Sequence, residues 1–398
     1  MADANAGDDE LDARLRVHRD AIDALDREIL ARLNERAMHA KAIGGLKAGS
    51  GGPAYRPDRE AQVLARLAEQ NGGPLSDAAI IGVFRQVMSA CLALEQKLRI
   101  AYLGPAGTFS HAAVVRQFGP FVDAISCATI DEIFRAGEAG RADYVVVPVE
   151  NSTEGTVGRT LDLMVTTDLS ICGEIKLRVR QNLLSNAPAL DRVVKVYSHA
   201  QSLAQCAHWL ARLLPGAARV PVSSNAEAAR LAAREEGTAA IAGEIAASIY
   251  GLAVLAAHIE DEPNNTTRFW VLGRQSVPAS GRDETSLVMS AANRPGAMHA
   301  LLEPFARHGV SMSRIESRPA RTGLWEYLFF VDVLGHRDDP NVKTALAELS
   351  GKAPFLKLLG SYPPISHEAN AEACEARERR RAAPGHELPC QRRRPART

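Results

Sequence analysis

Apolar residues near the start of the chain recur three and four positions apart. Leu11, Leu15, Ile22, Leu25, Ile29, Leu33 and Ile43 fall at helical spacing, which predicts one long helix over 11–48, ended by Gly49-Ser50-Gly51-Gly52-Pro53. A second helix fits Pro57 to Gln70, with proline in the first turn, where its missing N–H costs nothing. Asn71-Gly72-Gly73-Pro74 breaks it, and a third helix fits Ser76 to Lys97 with Ser76 as its cap. One long helix and two short ones have little to bury themselves against alone. The pattern therefore predicts an all-α unit over 8–97 that pairs with a second copy.

From Leu98 the period changes. Strand-like runs alternate with helical ones to about Gly273, predicting an α/β unit over 98–274 with a largely parallel sheet. Gln275 to Glu284, rich in Ser, Pro, Gly and charge, reads as a linker. Thr285 to Tyr362 then reads strand, helix, strand, strand, helix, strand, an α+β unit over 285–363. Residues 366–398 carry Arg377, Arg379, Arg380, Arg381 and Arg392 to Arg394 with few apolar groups, so a disordered, solvated basic tail is expected. The chain is thus multidomain.

The most informative stretch is Tyr144-Val-Val-Val-Pro-Val-Glu-Asn-Ser-Thr-Glu-Gly155. Tyr144 to Val149 is apolar on both faces, as in an interior strand. Asn151, Ser152 and Thr153 are helix-capping types, and Glu154-Gly155 opens the next periodic stretch. A helix N-terminus at that point offers free N–H groups and a positive dipole end to an anion; an ordinary capped turn is the alternative. Tyr102 to His111 follows another short strand, and Ser198 to Cys206 follows the run Val193 to Tyr197. Asn264-Asn-Thr-Thr-Arg-Phe-Trp270 precedes a further strand. Four polar clusters at strand ends point to one site at a sheet edge.

Composition narrows the classes. The 398 residues carry 47 basic and 47 acidic groups, so no overall positive field argues for nucleic acid. The six cysteines (91, 127, 172, 206, 374, 390) show no CxxC pair or metal spacing and read as reduced thiols of a cytosolic protein. Met1 to Asp12 lacks an apolar signal core, and no apolar run is expected to reach the ~20 residues of a membrane span. Neither GxGxxG nor GxxxxGK[ST] occurs, and no metal or organic cofactor is implied.

The four polar clusters, in this order, resemble the prephenate dehydratases. Over about residues 11 to 363 the chain resembles the bifunctional chorismate mutase–prephenate dehydratases. The resemblance implies two α/β lobes, as in type II periplasmic binding proteins, with the site in the cleft between them. It places Thr267 at the leaving hydroxyl of prephenate, with Thr266 as the neighbour not separated from it by sequence; alternation along a strand lets only one of the two face the site. It implicates Asn151, Ser198 and Gln205 in substrate binding. Arg268 is expected to pair either with a substrate carboxylate or with a nearby Glu or Asp. Glu150 reads as structural, His111 and His199 as structural or general acids, and Thr108 and Ser110 as helix caps that can also meet substrate.

In the helical unit, Arg19, Arg36, Lys47, Arg59 and Glu60 match positions that line the chorismate site of helical mutases; unaided, they would read as a solvated charged face. Arg forks and Lys suit the two carboxylates of chorismate. The resemblance implies that Arg19 reaches across from a partner subunit and that Lys47 donates to the ether oxygen. Where many relatives carry Gln and Ser on the third helix, this chain has Glu95 and Cys91, with Gln96 as the alternative register. A Glu donates only when protonated, so mutase activity is expected to fall as pH rises.

The C-terminal unit resembles an ACT domain. Asn293, Pro295, Gly296, Ala297 and Met298, together with Glu316, Ser317 and Arg318, match motifs that bind regulatory L-phenylalanine. Read alone they are a turn and a strand end. The whole implies a cytosolic homo-oligomer, dimer or tetramer, acting on chorismate and prephenate without nucleic acid or membrane. Arogenate dehydratase and a non-enzymatic phenylalanine sensor are the rival readings.

Overall fold

The computed structural model describes residues 3–50, 53, 55–291, 294–320 and 327–364. The basic tail and Asn293 lie outside the described residues.

Helix α1 (Asp3–Ser50) is one uninterrupted helix, as its spacing predicts. Its apolar stripe is largely uncovered: Leu11, Ile22, Leu25 and Ile29 are each 55–57% exposed. Helix α2 (Pro57–Gln70) starts on its proline, and α3 (Asp77–Glu95) is capped by Ser76, whose hydroxyl accepts from the Ala79 N–H at 3.2 Å. At 19 residues, α3 corrects the expectation that no segment is long and apolar enough to span a membrane. It packs against α1 and α2 and buries Ile81 and Cys91. Gly44 lets α1 and α3 touch, since a Cβ there would lie 2.9 Å from the Glu95 Cα.

The first α/β lobe runs β1 (Arg99–Leu103), α4 (Phe109–Phe118), β2 (Asp123–Cys127), α5 (Ile130–Glu138), β3 (Tyr144–Asn151), β4 (Gly155–Thr156), α6 (Gly158–Thr166) and β5 (Ser170–Arg178). The chain crosses to the second lobe, β6 (Asn182–Ser185), β7 (Lys195–His199), α7 (Ala200–Gln205), α8 (Ala207–Leu213), β8 (Ala218–Val222), α9 (Asn225–Ala232), β9 (Thr238–Ala242), α10 (Glu244–Tyr250) and β10 (Ala253–Ala256). It returns to the first lobe as β11 (Thr266–Gly273). The two crossing segments bond each other: the Val179 N–H donates to Asn265 O and the Ile259 N–H to Gln181 O, both at 2.8 Å.

The sheets are mixed, which corrects the expectation of a largely parallel one. In the order β2-β1-β3-β11-β5 the first two pairings are parallel and the last two antiparallel. The second lobe, β10-β6-β9-β7-β8, repeats that division. Strands buried on both faces read alike whichever way their neighbours run, and here one strand of each lobe, β11 in the first and β6 in the second, runs against both of its neighbours.

The C-terminal unit is β12 (Glu284–Ser290), α11 (Ala297–Arg307), β13 (Met312–Pro319), β14 (Tyr327–Leu334), α12 (Pro340–Ser350) and β15 (Phe355–Tyr362), in sheet order β13-β14-β12-β15. One face carries α11 and α12 over Leu287, Phe305 and Val331. The other packs onto the first lobe, where Phe330, Leu359 and Tyr362 share a core with Trp270, Leu272 and Ile171. The approach is close at Gly360: a Cβ there would lie 2.3 Å from Ile171 O.

Candidate active sites

A cavity of about 520 Å³ opens among the first three helices. Arg36 and Lys47 reach it from α1, Arg59 and Glu60 from α2, and Cys91 and Glu95 from α3. Spacing along three separate helices thus converges in space. Glu95, not Gln96, faces the cavity, and its carboxylate accepts from Lys47 Nζ at 3.1 Å. Arg85, which sequence reasoning missed, donates to Glu60 at 3.3 Å. Burial raises the Glu60 carboxyl above its usual range, and Arg85 offsets part of that rise. Arg19 is the member that the structure does not bring here. It is exposed, 17 positions before Arg36 and so roughly 25 Å away along α1.

The wall is completed from outside the helical unit. Gln117 and Phe118, at the end of α4, line the same cavity. Tyr55, between α1 and α2, is buried in the core of the first lobe, where its hydroxyl accepts from Gln117 Nε2 at 2.8 Å. Ser89 of α3 donates to Phe118 O.

The second candidate site is a cleft of about 490 Å³ between the α/β lobes. Register places Asn151 of β3 directly opposite Thr267 of β11. The Asn151 amide donates to Thr267 Oγ1 and to Asn265 Oδ1, both at 2.8 Å. Because Thr267 Oγ1 accepts that bond, its own proton stays available to a ligand in the cleft. Asn151 Oδ1 meanwhile accepts from the Thr153 and Glu154 N–H groups, at 3.1 Å each, and so shapes the turn. That turn is a correction. The polar run after β3 makes a hairpin with the two-residue β4, and α6 begins only at Gly158 without a side-chain cap.

Helix N-termini do reach the cleft, but other ones. Thr108 caps α4, accepting from the His111 N–H at 3.3 Å, and Ser224 caps α9, accepting from the Glu227 N–H at 3.0 Å; both caps line the cleft. Among the described residues, no Arg or Lys lines the cleft. Charge on a ligand would therefore be met by dipole ends and neutral donors.

From the second lobe, Gln205 accepts from Gln181 at 3.1 Å and donates to Thr153 Oγ1 at 3.4 Å, spanning the lobes. Ser198 is buried behind the cleft rather than in it, with Oγ 3.0 Å from Asn225 Oδ1 and 2.8 Å from Ile241 O; Asn225 is the residue that lines the cleft. His199 lines the cleft; His111 stacks on Tyr102 at 5.0 Å and accepts from the Gly107 N–H, and burial lowers its pKa. Sequence reasoning missed Gln181, Ser202 and Asn225. Gln181 is 1% exposed and its Oε1 has no protein partner. These residues sit in a crossover and on short helices, where no hydrophobic period marks them.

Thr266 and Arg268 leave the cleft, as alternation along β11 requires. Thr266 lines other cavities, one of them together with Arg268 and Glu174. Arg268 donates to Glu174 at 2.7 Å and to Asp332 of β14 at 2.7 Å, tying the first lobe to the C-terminal sheet. Their placement beside the substrate is corrected. Glu150 is likewise turned away, 2.9 Å from Arg314.

In the C-terminal unit, Gly296 takes φ 77° before α11, and Pro295, Ala297 and Met298 surround that start. Glu316, Ser317 and Arg318 lie on the edge strand β13. Ser290, at the end of β12 before the first motif, and Arg318 both pair with Leu328, so these two positions sit at one end of the sheet with β14 between them, about 10 Å apart. Arg318 is engaged by Asp162 of α6 at 3.0 Å.

Comparison with known proteins agrees with this three-part layout. Family models match for chorismate mutase type II over residues 18–96, prephenate dehydratase over 100–277 and the ACT domain over 285–351. A bifunctional chorismate mutase/prephenate dehydratase of Neisseria gonorrhoeae is 55% identical, covering 89% of this chain and 98% of that protein. A prephenate dehydratase from Arthrobacter aurescens, solved in complex with L-Phe, is 34% identical with a TM-score of 0.62, covering 71% of this chain and 97% of its own. A chain described as a novel type of quorum-quenching acylase, GqqA, is 31% identical with a TM-score of 0.62, covering 67% of this chain and 98% of its own. The chain therefore belongs to the bifunctional chorismate mutase/prephenate dehydratase family.

Proposed function

We propose that the protein converts chorismate to prephenate in its helical cavity and prephenate to phenylpyruvate in its interlobe cleft, under inhibition by L-phenylalanine bound at paired ACT domains. The carrying observation is the hydrogen-bonded set Asn151–Thr267–Asn265 at the cleft floor.

The first step is a pericyclic rearrangement and needs no nucleophile. Arg36, Arg59 and Arg85 hold the two carboxylates of chorismate in the compact reactive conformer, and Lys47 donates to the ether oxygen as its bond breaks. In the resting site Lys47 is held by Glu95, so substrate competes with that carboxylate. Arg19 completes the site from the α1 of a second copy, in a cytosolic homo-oligomer.

In the second step the ring carboxylate departs as CO2, its bonding electrons enter the ring, and the ring hydroxyl leaves as the ring becomes aromatic. Thr267 donates its hydrogen bond to that departing oxygen, while solvent supplies the proton that completes water. Helix α4 and α9 N-termini hold the side-chain carboxylate. Gln205 and Asn225 fix the substrate from the second lobe, and Ser198 positions Asn225.

The discriminating test offers purified protein prephenate or arogenate and follows product by ultraviolet absorbance and amino-acid analysis. Phenylpyruvate from prephenate at the higher kcat/KM supports the reading. Phenylalanine formed from arogenate at the higher kcat/KM would replace it with an arogenate dehydratase.

A further inference from the structure

Helix α4 runs from one candidate site to the other. Its first residue, Phe109, lines the dehydratase cleft, and Gln117 and Phe118 at its far end line the mutase cavity, roughly 12 Å further on. Between them, Ala112, Val115 and Arg116 form one wall of a third cavity, of about 840 Å³. Facing them are Lys176, Arg178 and Arg180 from the end of β5 and the crossing segment, and His258 from the return crossing. Glu244 is the one carboxylate among the residues lining it. Among the described residues no carboxylate pairs with Arg116, Arg178 or Arg180; Arg178 donates to the Pro263 carbonyl at 2.8 Å, and Arg180 lies 3.2 Å from His258. The basin adjoins the mutase wall, since Gln86 lines it and the next residue back, Arg85, lines the mutase cavity. Burial and the like charges of Arg85 and Arg180 lower the Arg116 pKa, which places the three guanidinium groups in one field.

Lys176 pairs with Glu174 at 3.3 Å, but positive charge still exceeds counter-charge in the basin, and clustered like charge destabilises a fold unless an anion relieves it. The cleft that must receive a dianion has, among the described residues, no Arg or Lys lining it. We propose that the basin is a transfer site for a small dicarboxylate: it captures prephenate leaving the mutase cavity and hands it along α4 to the dehydratase cleft of the same chain. This inference rests on the function proposed above. Arg116, Arg178 and Arg180 hold the two carboxylates by long-range attraction, not by a fixed pose, so the anion is retained near the protein and still free to move on.

The test is isotope dilution on the full-length protein. Uniformly ¹³C-labelled chorismate is supplied together with an excess of unlabelled prephenate, and the labelled fraction of phenylpyruvate is read in the first turnovers. The wild type should keep a labelled fraction above the value set by the mixed pool. The double variant Arg116→Gln/Arg180→Gln should fall to the pool value and lose about tenfold in kcat/KM for added prephenate, with kcat of each half-reaction at saturation within about twofold. Raising salt from about 0.1 M to about 1 M, which shortens the screening length from about 10 Å to about 3 Å, should erase the retention in the wild type, and this arm decides if the variant does not fold. Pool-value label in the wild type at low salt, or retention untouched by both the variant and salt, overturns the proposal. Failure of the underlying function looks different, since prephenate alone would then give no phenylpyruvate, and it removes this proposal as well.

Discussion

At the cleft floor the proposed dehydratase chemistry rests on a single hydroxyl, that of Thr267. Thr267 accepts from Asn151, which leaves its own proton available to a ligand. Thr267→Val should lower dehydratase kcat by about 10²–10³-fold, Thr267→Ser by much less, and neither should alter mutase activity. Separate assays on chorismate and prephenate check this. In the helical cavity Lys47 is held by Glu95 at 3.1 Å. Glu95→Gln removes the carboxylate that competes with chorismate for Lys47, so it should lower the KM for chorismate; an unchanged or higher KM would refute this. The predicted residues that the fold does bring to a candidate site lie in long motifs, among them Thr267, Asn151 and Gln205 in the cleft and Arg36, Lys47, Arg59, Glu60 and Glu95 among the helices. Arg85 and Asn225 were not legible in the sequence, because a charge on a helix declares its neighbours only once the helices pack.

At the level of the element, β11 does two tasks because its period is two. Thr267 faces the cleft, and Arg268 faces Glu174, Asp332 and the neighbouring Glu284. Burial, with Asp332 and Glu174 adding to it, pushes Glu284 up from its ordinary 4.5 to about 7, against the pull of the Ser313 hydroxyl and Arg268. A raised folded-state pKa means that this group's stabilising contribution is complete below about 4.5 and is lost as pH rises toward and through 7. Relative to Glu284→Gln, the wild type should therefore lose ~1–3 kcal/mol over that window, read as melting temperature against pH. A difference independent of pH would refute the assignment. Helix ends were legible here, since Ser76 and Thr108 cap as their types suggest. Strand direction was not, and neither was β4, whose two residues are too few to show a period.

On the scale of the whole molecule, three units were legible from the change of hydrophobic period at Leu98 and from the linker after Gln275. Their contacts were not. The ACT sheet lies on the first lobe through Gly360, and Tyr55 enters the first lobe's core from the helical unit. The long α1 leaves Leu25 57% and Ile29 55% exposed, a stripe suited to the same helix of a second copy. Leu25→Lys should shift the protein to a smaller species in sedimentation. It should abolish mutase activity, because Arg19 then has no site to complete, and leave dehydratase activity in place. Mutase activity persisting in a monomer would contradict that arrangement.

The central claim is that one chain performs both steps and answers to phenylalanine. Purified protein given chorismate alone, with phenylpyruvate followed by ultraviolet absorbance, tests it directly. The account predicts product from chorismate, its suppression by L-phenylalanine, and accumulation of prephenate in Thr267→Val. Product from prephenate but none from chorismate, or turnover indifferent to phenylalanine, would contradict it.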